Sequence, residues 1–357
     1  MSISRLLVPS VVDVLRKGYG AGALRSDLFG GITAAIIALP LALAFGVAAG
    51  AGPIAGLYGA IATGFFAALF GGTPSQISGP TGPMTVVMGA VVAAHSSNLS
   101  EAFTIVALGG ALQMLFGLAR VGSYVAYTPA SVISGFMTGV GLIIMVMQSL
   151  PAIGLPSAAN GVLGTLASWR DLAPGDVNAA ASILAVVSLL LLVYWPPRIA
   201  KAIPAPLGVL VVGTAAAALL PAHLPVIGPV PSGLPQLHLP IPSLDLFVVA
   251  LQPAFMLALL GSIDSLLTSL VADSATKTQH DSDKELVGQG IGNVVAGLIG
   301  GIPGAGATMR TVVNIRSGGR SAVSGISRQY CSSSAPWKCV CMLRTGSQSD
   351  IAPVVSP

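Results

Sequence analysis

Between Gly71 and Thr85 the chain reads Gly-Gly-Thr-Pro-Ser-Gln-Ile-Ser-Gly-Pro-Thr-Gly-Pro-Met-Thr, at a place where an apolar membrane span is due. Ahead of it, Ile54 to Phe70 is apolar throughout; behind it, Met84 to Ala94 is too short to cross a bilayer alone. The pattern predicts one broken crossing: an extended lead, then a half-helix starting near Thr81 at mid-membrane. Irregular backbone at that depth is tolerated only where it is buried in protein or lines a cavity. A half-helix N-terminus there offers unpaired N–H groups and a positive dipole end to an anion.

The surrounding composition supports a membrane setting. Of 357 residues, 54% are hydrophobic and only 8% are charged, against about 25% charged in soluble domains. The fold class expected is an all-α polytopic membrane protein, its 44 glycines marking close helix packing through small residues. Spans are predicted at Leu28–Ala48, Ile54–Phe70, the broken Thr73–Ala94, Ala102–Ala119, Ala130–Leu150, Ala179–Tyr194, Pro206–Leu220, Leu244–Val271 and Leu286–Ile302, with a second broken piece from Pro303. The net charge of +4 resides mostly in loops and reads as a topology signal rather than a nucleic-acid surface. Loops on one side hold Arg120, Arg198, Lys201, Lys277 and Lys284, and those on the other hold only Arg170. This bias predicts insertion in the inner (cell) membrane with the N-terminus cytoplasmic. Residues 1–26 then form a cytoplasmic lead-in, without the apolar core and cleavage pattern of a signal peptide.

An internal repeat is visible. Asp27-Leu-Phe opens the first span and Asp245-Leu-Phe the eighth; Leu69-Phe-Gly-Gly-Thr-Pro74 and Leu298-Ile-Gly-Gly-Ile-Pro303 precede the two broken segments. An odd number of intervening spans inverts the second copy, the arrangement of secondary transporters. The expected organisation is a first repeat over 27–222, a Pro-rich extracytoplasmic connector over 223–243, and a partial second repeat over 244–320. From Ser321 the apolar periodicity stops, and Cys331, Cys339, Cys341, Trp337 and Lys338 appear in an altered composition. Residues 321–357 are therefore expected to be an aberrant tail, the product of a frameshift or truncated reading frame. Cys339-Val-Cys341 lacks a second pair and is not expected to hold metal.

Chemistry concentrates at a few positions. Asp264 is the only acidic residue expected well inside a span, where an ionisable group costs about 2.5–3.5 kcal/mol and needs a partner. Thr268 follows one turn later on the same helix face. Carboxylate and hydroxyl together suit sodium, or a proton on the carboxylate. In the second broken segment, Gly304-Ala-Gly-Ala-Thr-Met-Arg310, exposed backbone is expected at Gly306 and Ala307 and a half-helix start at Thr308. Opposite Thr81, this places two positive helix ends around one anion, with the Thr81 and Thr308 hydroxyls as donors. Arg310 adds a charge that either meets the anion, neutralises Asp264 or faces the cytoplasm. Pro40 kinks the first span, leaving Leu39 to Ala42 either to line the cavity or to serve packing. Gln279-His-Asp-Ser-Asp-Lys-Glu285 is expected to be a solvated cytoplasmic connector, and His95, His223 and His238 to be loop residues. No Ser–His, Cys–His or metal-ligand cluster lies in the spans, so no enzyme and no cofactor is expected.

Taken together, Ala38-Leu-Pro-Leu-Ala-Leu-Ala-Phe-Gly46, Gly52-Pro-Ile-Ala-Gly-Leu-Tyr58, Gly79-Pro-Thr-Gly-Pro-Met-Thr85, Ser262-Ile-Asp-Ser-Leu-Leu-Thr268 and Gly301-Ile-Pro-Gly-Ala-Gly-Ala-Thr308 resemble the SulP (sulfate permease) anion transporters, related to the SLC26 carriers. The likeness is nearest to the cyanobacterial-type sodium-dependent bicarbonate transporters of that family and covers about Asp27 to Arg320. It implies a seven-plus-seven inverted repeat with core and gate domains, a homodimer, and a cytoplasmic STAS domain. It implies an anion site at Thr81, Gly306, Ala307 and Thr308, and a sodium site at Asp264, Thr268, Gly306 and Thr308. The first span, with Leu39, Pro40 and Ala42, would line the pocket, and Arg310 would be a charge partner. The sequence departs from the pattern in lacking the last four spans and the STAS domain, and in having Gly79 where an acidic residue is expected. The implied function is secondary active transport of an inorganic anion, bicarbonate or sulfate, by a sodium- or proton-coupled symporter with alternating access. The alternatives are an inactive truncated fragment and a dicarboxylate carrier of the same family.

Overall fold

Apolar runs without charge form helices here wherever Gly and Pro do not intervene, and they break where those residues cluster. The computed structural model describes residues 9–10, 12, 18–95, 98–127, 130–156, 161–196, 199, 205–219, 237 and 244–333. Helix α1 spans Ala21–Ala48 and keeps Pro40 inside it; α2 spans Pro53–Phe70, with its Pro in the first turn, where a missing N–H costs nothing. A short strand β1, Ser78–Gly79, leads to the half-helix α3, Gly82–Ala94. Then come α4 (Leu99–Leu118), α5 (Ala130–Ala152), α6 (Gly161–Ser168), α7 (Ala179–Val193) and α8 (Ala205–Leu219). The second half holds α9 (Leu244–Thr276), α10 (Ser282–Leu298), β2 (Ala305–Gly306), the half-helix α11 (Thr308–Arg316) and α12 (Ala322–Ser333). Among the described residues, α1, α2, α4 and the Phe247–Thr276 part of α9 are long and apolar enough to cross a membrane.

The interior is built where α10 packs between α4 and α2, and α9 packs along α4. Small residues set these distances: a Cβ on Gly110 of α4 would lie 2.7 Å from the Gly290 carbonyl oxygen of α10, and the reverse contact is also 2.7 Å. The apolar core joins Met84, Met88 and Val91 of α3 to Phe103, Ile105 and Val106 of α4 and Leu257 of α9. By contrast, α7 leaves Ile183, Leu189 and Val193 exposed, the surface of a helix that faces lipid.

The break expected at Ser321 is not where ordered packing ends. Helix α12 begins at Ala322 and packs against α1 and α2. Its start is held by Asp27, near the beginning of α1. Asp27 Oδ1 accepts from Arg320 N at 2.6 Å and Ser321 N at 3.1 Å, and Oδ2 accepts from the Tyr19 hydroxyl at 2.5 Å and from Ser321 Oγ. Burial and the Asp27 carboxylate push the Tyr19 phenol up to about 12, so it stays a donor at physiological pH. Composition misplaced the boundary because α12 buries polar residues, Ser324 and Arg328 among them, rather than an apolar stripe. The remainder of the expected tail, 334–357, and almost all of the 223–243 connector lie outside the described residues.

Asp27→Ala removes this cap from α12. It is expected to destabilise the fold by about 1–3 kcal/mol, the cost of leaving buried donors unpaired, read as a lower midpoint of thermal unfolding in detergent.

Candidate functional site

Strands β1 and β2 pair antiparallel, with Ser78 opposite Gly306 and Gly79 opposite Ala305. Each is followed within three residues by a half-helix: Thr81 is the N-cap of α3, and Ala307 the N-cap of α11. The antiparallel ladder thus sets the two positive helix ends at its opposite ends, each equivalent to about half a unit charge. Pro80 and Pro83 flank the first start, so the backbone cannot close into a continuous helix there. Thr81 is buried, its hydroxyl beside the Asp264 carboxylate.

Helix α9 supplies the third wall. Thr268 Oγ1 donates to the Gly306 carbonyl at 3.0 Å and lies 2.8 Å from Thr308 Oγ1. Ser265 Oγ, one turn closer to the helix start, accepts from Gly306 N at 3.1 Å. Asp264 is 5% exposed. Its carboxylate faces the Thr81 hydroxyl and lies within electrostatic reach of Arg310. Arg310, also buried, donates from Nη2 to the Pro80 carbonyl at 2.5 Å, while its Nη1 has no partner. The structure therefore brings together Thr81, Asp264, Thr268, Gly306, Ala307, Thr308 and Arg310, all singled out from sequence. Of the alternatives open for Arg310, it faces the interior near Asp264.

Several expectations change. Ala42 is fully buried and its carbonyl packs against Gly56 of α2; Leu39 and Pro40 are half-buried. Glu285, expected in a solvated connector, is 1% exposed, and Lys284 is buried as well. Asp264 is consequently not alone among buried acids: Asp27 and Glu285 join it. Gly79 has φ +152°, so a side chain there would carry backbone strain, and a Cβ would lie 2.9 Å from Arg310 Nη1 and 3.3 Å from Arg328 Nη2, the ends of two flexible cationic side chains.

Sequence reasoning missed Gln76, Ser265, Gln289, Asn293 and Arg328. Asn293 Nδ2 donates to the Gly304 carbonyl at 2.9 Å and to Gln113 Oε1 at 2.8 Å, and its Oδ1 accepts from Gly304 N at 2.8 Å. Arg328 Nη1 donates to the Ser78 carbonyl. The signal for part of this set was present: Glu285, Gln289 and Asn293 recur every four residues, hence on one helix face.

The sequence model of the sulfate permease family matches residues 24–331. The bicarbonate transporter BicA of Picosynechococcus sp. is 49% identical over 318 residues, which cover 86% of this chain and 56% of that protein. The solved transmembrane domain of a cyanobacterial BicA superposes with a TM-score of 0.81 at 51% identity, covering 88% of this chain and 82% of that one. SLC26A9 shares the fold, with a TM-score of 0.77 at 22% identity over 91% of this chain and 55% of that one. The chain spans about half the length of the curated relatives it matches, 56% in the first case.

A methyl group at Gly306 would meet Gln76 Nε2 at 2.2 Å and the Ser265 Cα at 3.0 Å. Gly306→Ala is expected to cost about 1–3 kcal/mol through overpacking, seen as a lower unfolding midpoint, and to weaken ion binding measured by titration calorimetry.

Proposed function

The chain belongs to the sulfate permease family, and we propose that it holds the substrate-binding core of a secondary transporter for a small inorganic anion. Bicarbonate is the first candidate, since the relatives near 50% identity carry that name; sulfate is the second, from the family. One observation carries the proposal. Two half-helix N-termini flank one two-stranded ladder, beside two buried side chains that face each other, Thr81 and Asp264.

The chemistry follows from charge. A hydrated anion entering between α3 and α11 exchanges water for helix N–H groups, the Thr81 and Thr308 hydroxyls and the Arg310 field. Asp264 opposes that anion unless its own charge is offset. Sodium at Asp264, Thr268, the Gly306 carbonyl and Thr308 offers that offset with hard oxygen donors; a proton on Asp264 offers it too. Binding of the two ions thus becomes mutually favourable, the requirement of a symporter. No bond to the substrate is made or broken, so the protein acts as a carrier rather than an enzyme. Transport proceeds by movement of the core past a gate in alternating access. A homodimer in the inner membrane, with a cytoplasmic N-terminus, completes the proposal.

Uptake of radiolabelled bicarbonate and of sulfate into proteoliposomes, with and without sodium, tests this, paired with titration of the detergent-solubilised chain. Asp264→Asn is expected to abolish sodium stimulation while leaving the fold intact. Unchanged sodium dependence in that variant removes Asp264 from coupling. Binding without uptake assigns the chain the site but not the transport step.

A further inference from the structure

Glu285 lies in the first turn of α10 with almost no solvent exposure. Its Oε2 accepts from the backbone N–H groups of Gly72 and Thr73, both at 2.9 Å. Its Oε1 accepts from Gln76 Nε2 at 2.9 Å and Gln289 Nε2 at 2.8 Å. Every one of these partners is a donor, which an ionised carboxylate, an acceptor at both oxygens, matches. Burying this charge on a helix is costly, and two of its four bonds go to backbone that no helix or strand satisfies.

From Glu285 two routes lead to the same rung of the β1–β2 ladder. Along one, Gln76 receives a hydrogen bond from Ser269 Oγ on α9 at 2.9 Å and lies directly against Gly306, where a Cβ would meet its Nε2 at 2.2 Å. Along the other, Gln289 donates from Nε2 to Ser78 Oγ at 2.5 Å. Ser78 and Gly306 are the paired residues of that rung. Thr81 and Thr308 start their half-helices within three residues of it.

We infer that Glu285 is a positioning residue for ion binding: its carboxylate anchors residues 72–76 so that the Ser78–Gly306 rung holds the two half-helix starts at a fixed separation. This assignment rests on the proposed anion site. Glu285 touches neither ion itself; it acts through Gln76 and Gln289. The anchor links α10, the first broken segment and α9 in one polar chain, so slack at Glu285 reaches Thr81 and Gly306 together.

The test uses the purified full chain, wild type and Glu285→Gln. Glutamine retains the shape, and its carbonyl still serves Gly72 and Thr73, but its NH2 cannot accept from Gln76 and Gln289, so those two bonds and the charge-assisted strength are lost. Amide hydrogen exchange is measured without ligand, and sodium bicarbonate binding by titration. Expected in Glu285→Gln are exchange about tenfold faster across 71–79, unchanged exchange across 244–260, and a several-fold higher half-saturation for bicarbonate. The paired exchange Gln76→Glu with Glu285→Gln returns a carboxylate to the Gln76–Glu285 contact and is expected to recover binding. Should Glu285→Gln not fold, Gln76→Met removes the Gln76 bonds to Glu285 and Ser269 while leaving the Glu285 bonds to Gly72 and Thr73, and is expected to raise the half-saturation likewise. Unchanged exchange across 71–79 overturns the assignment, as does equal acceleration in every segment, which marks a general stability role. A wild-type chain that binds no anion overturns the transport proposal instead, and local exchange then decides the role of Glu285 alone.

Discussion

Two stretches of backbone cross the interior of this protein without helical hydrogen bonds, and the rest of the structure depends on how their N–H and C=O groups are satisfied. In lipid an unpaired backbone group costs several kcal/mol, so segments 71–81 and 302–307 need partners inside the protein. They find some in each other: the β1–β2 rungs, and the bond from Ala307 N to the Ile77 carbonyl at 2.9 Å. Neighbouring helices supply the others. Thr311 Oγ1 accepts from Ile77 N, Asn314 donates to the Ser75 carbonyl, and Ile302 N reaches the Ala55 carbonyl. The most systematic contribution comes from α10, whose Glu285, Gln289 and Asn293 form one polar stripe along both segments.

That requirement explains the packing around it. A helix presenting a polar stripe to irregular backbone cannot also bury that stripe in apolar contacts, so α10 is held by its other faces. There glycine brings it against α4 at Gly110 and Gly290, and against α2, where a Cβ on Gly292 would lie 2.8 Å from the Thr63 Cα. Close approach secures dispersion contacts that small side chains alone would not reach. The same elements hold β1 and β2 in register, Ser78 opposite Gly306 and Gly79 opposite Ala305.

The charges near this ladder do not cancel by simple pairing. Arg310 bonds a carbonyl and lies near Asp264, while Arg328 reaches the same side of Gly79 that Arg310 occupies. Asp264 and Thr81 face each other at the buried junction of these elements.

Much of this was legible in the residues. Gly and Pro at 71–83 and 303–306 announced broken crossings, because neither residue sustains a helix, and Thr81 and Thr308 were the first positions from which one could resume. Asp264 and Thr268 stood out because a four-residue spacing puts them on one helix face. Glu285 did not stand out: it closes a charged run, and local composition assigns such a run to solvent. Arg328 was hidden in a stretch whose composition departs from the apolar pattern. The sequence by itself determined that the chain enters a membrane, where its helices break, and which acid and hydroxyls are available there, since these depend on neighbours a few positions apart. Only the tertiary structure decided that Ser78 pairs with Gly306, that Glu285 is buried against Gly72 and Thr73, and that Asp27 caps α12. Those contacts join segments distant in the chain, and the burial that makes each polar group valuable exists only once the helices have packed.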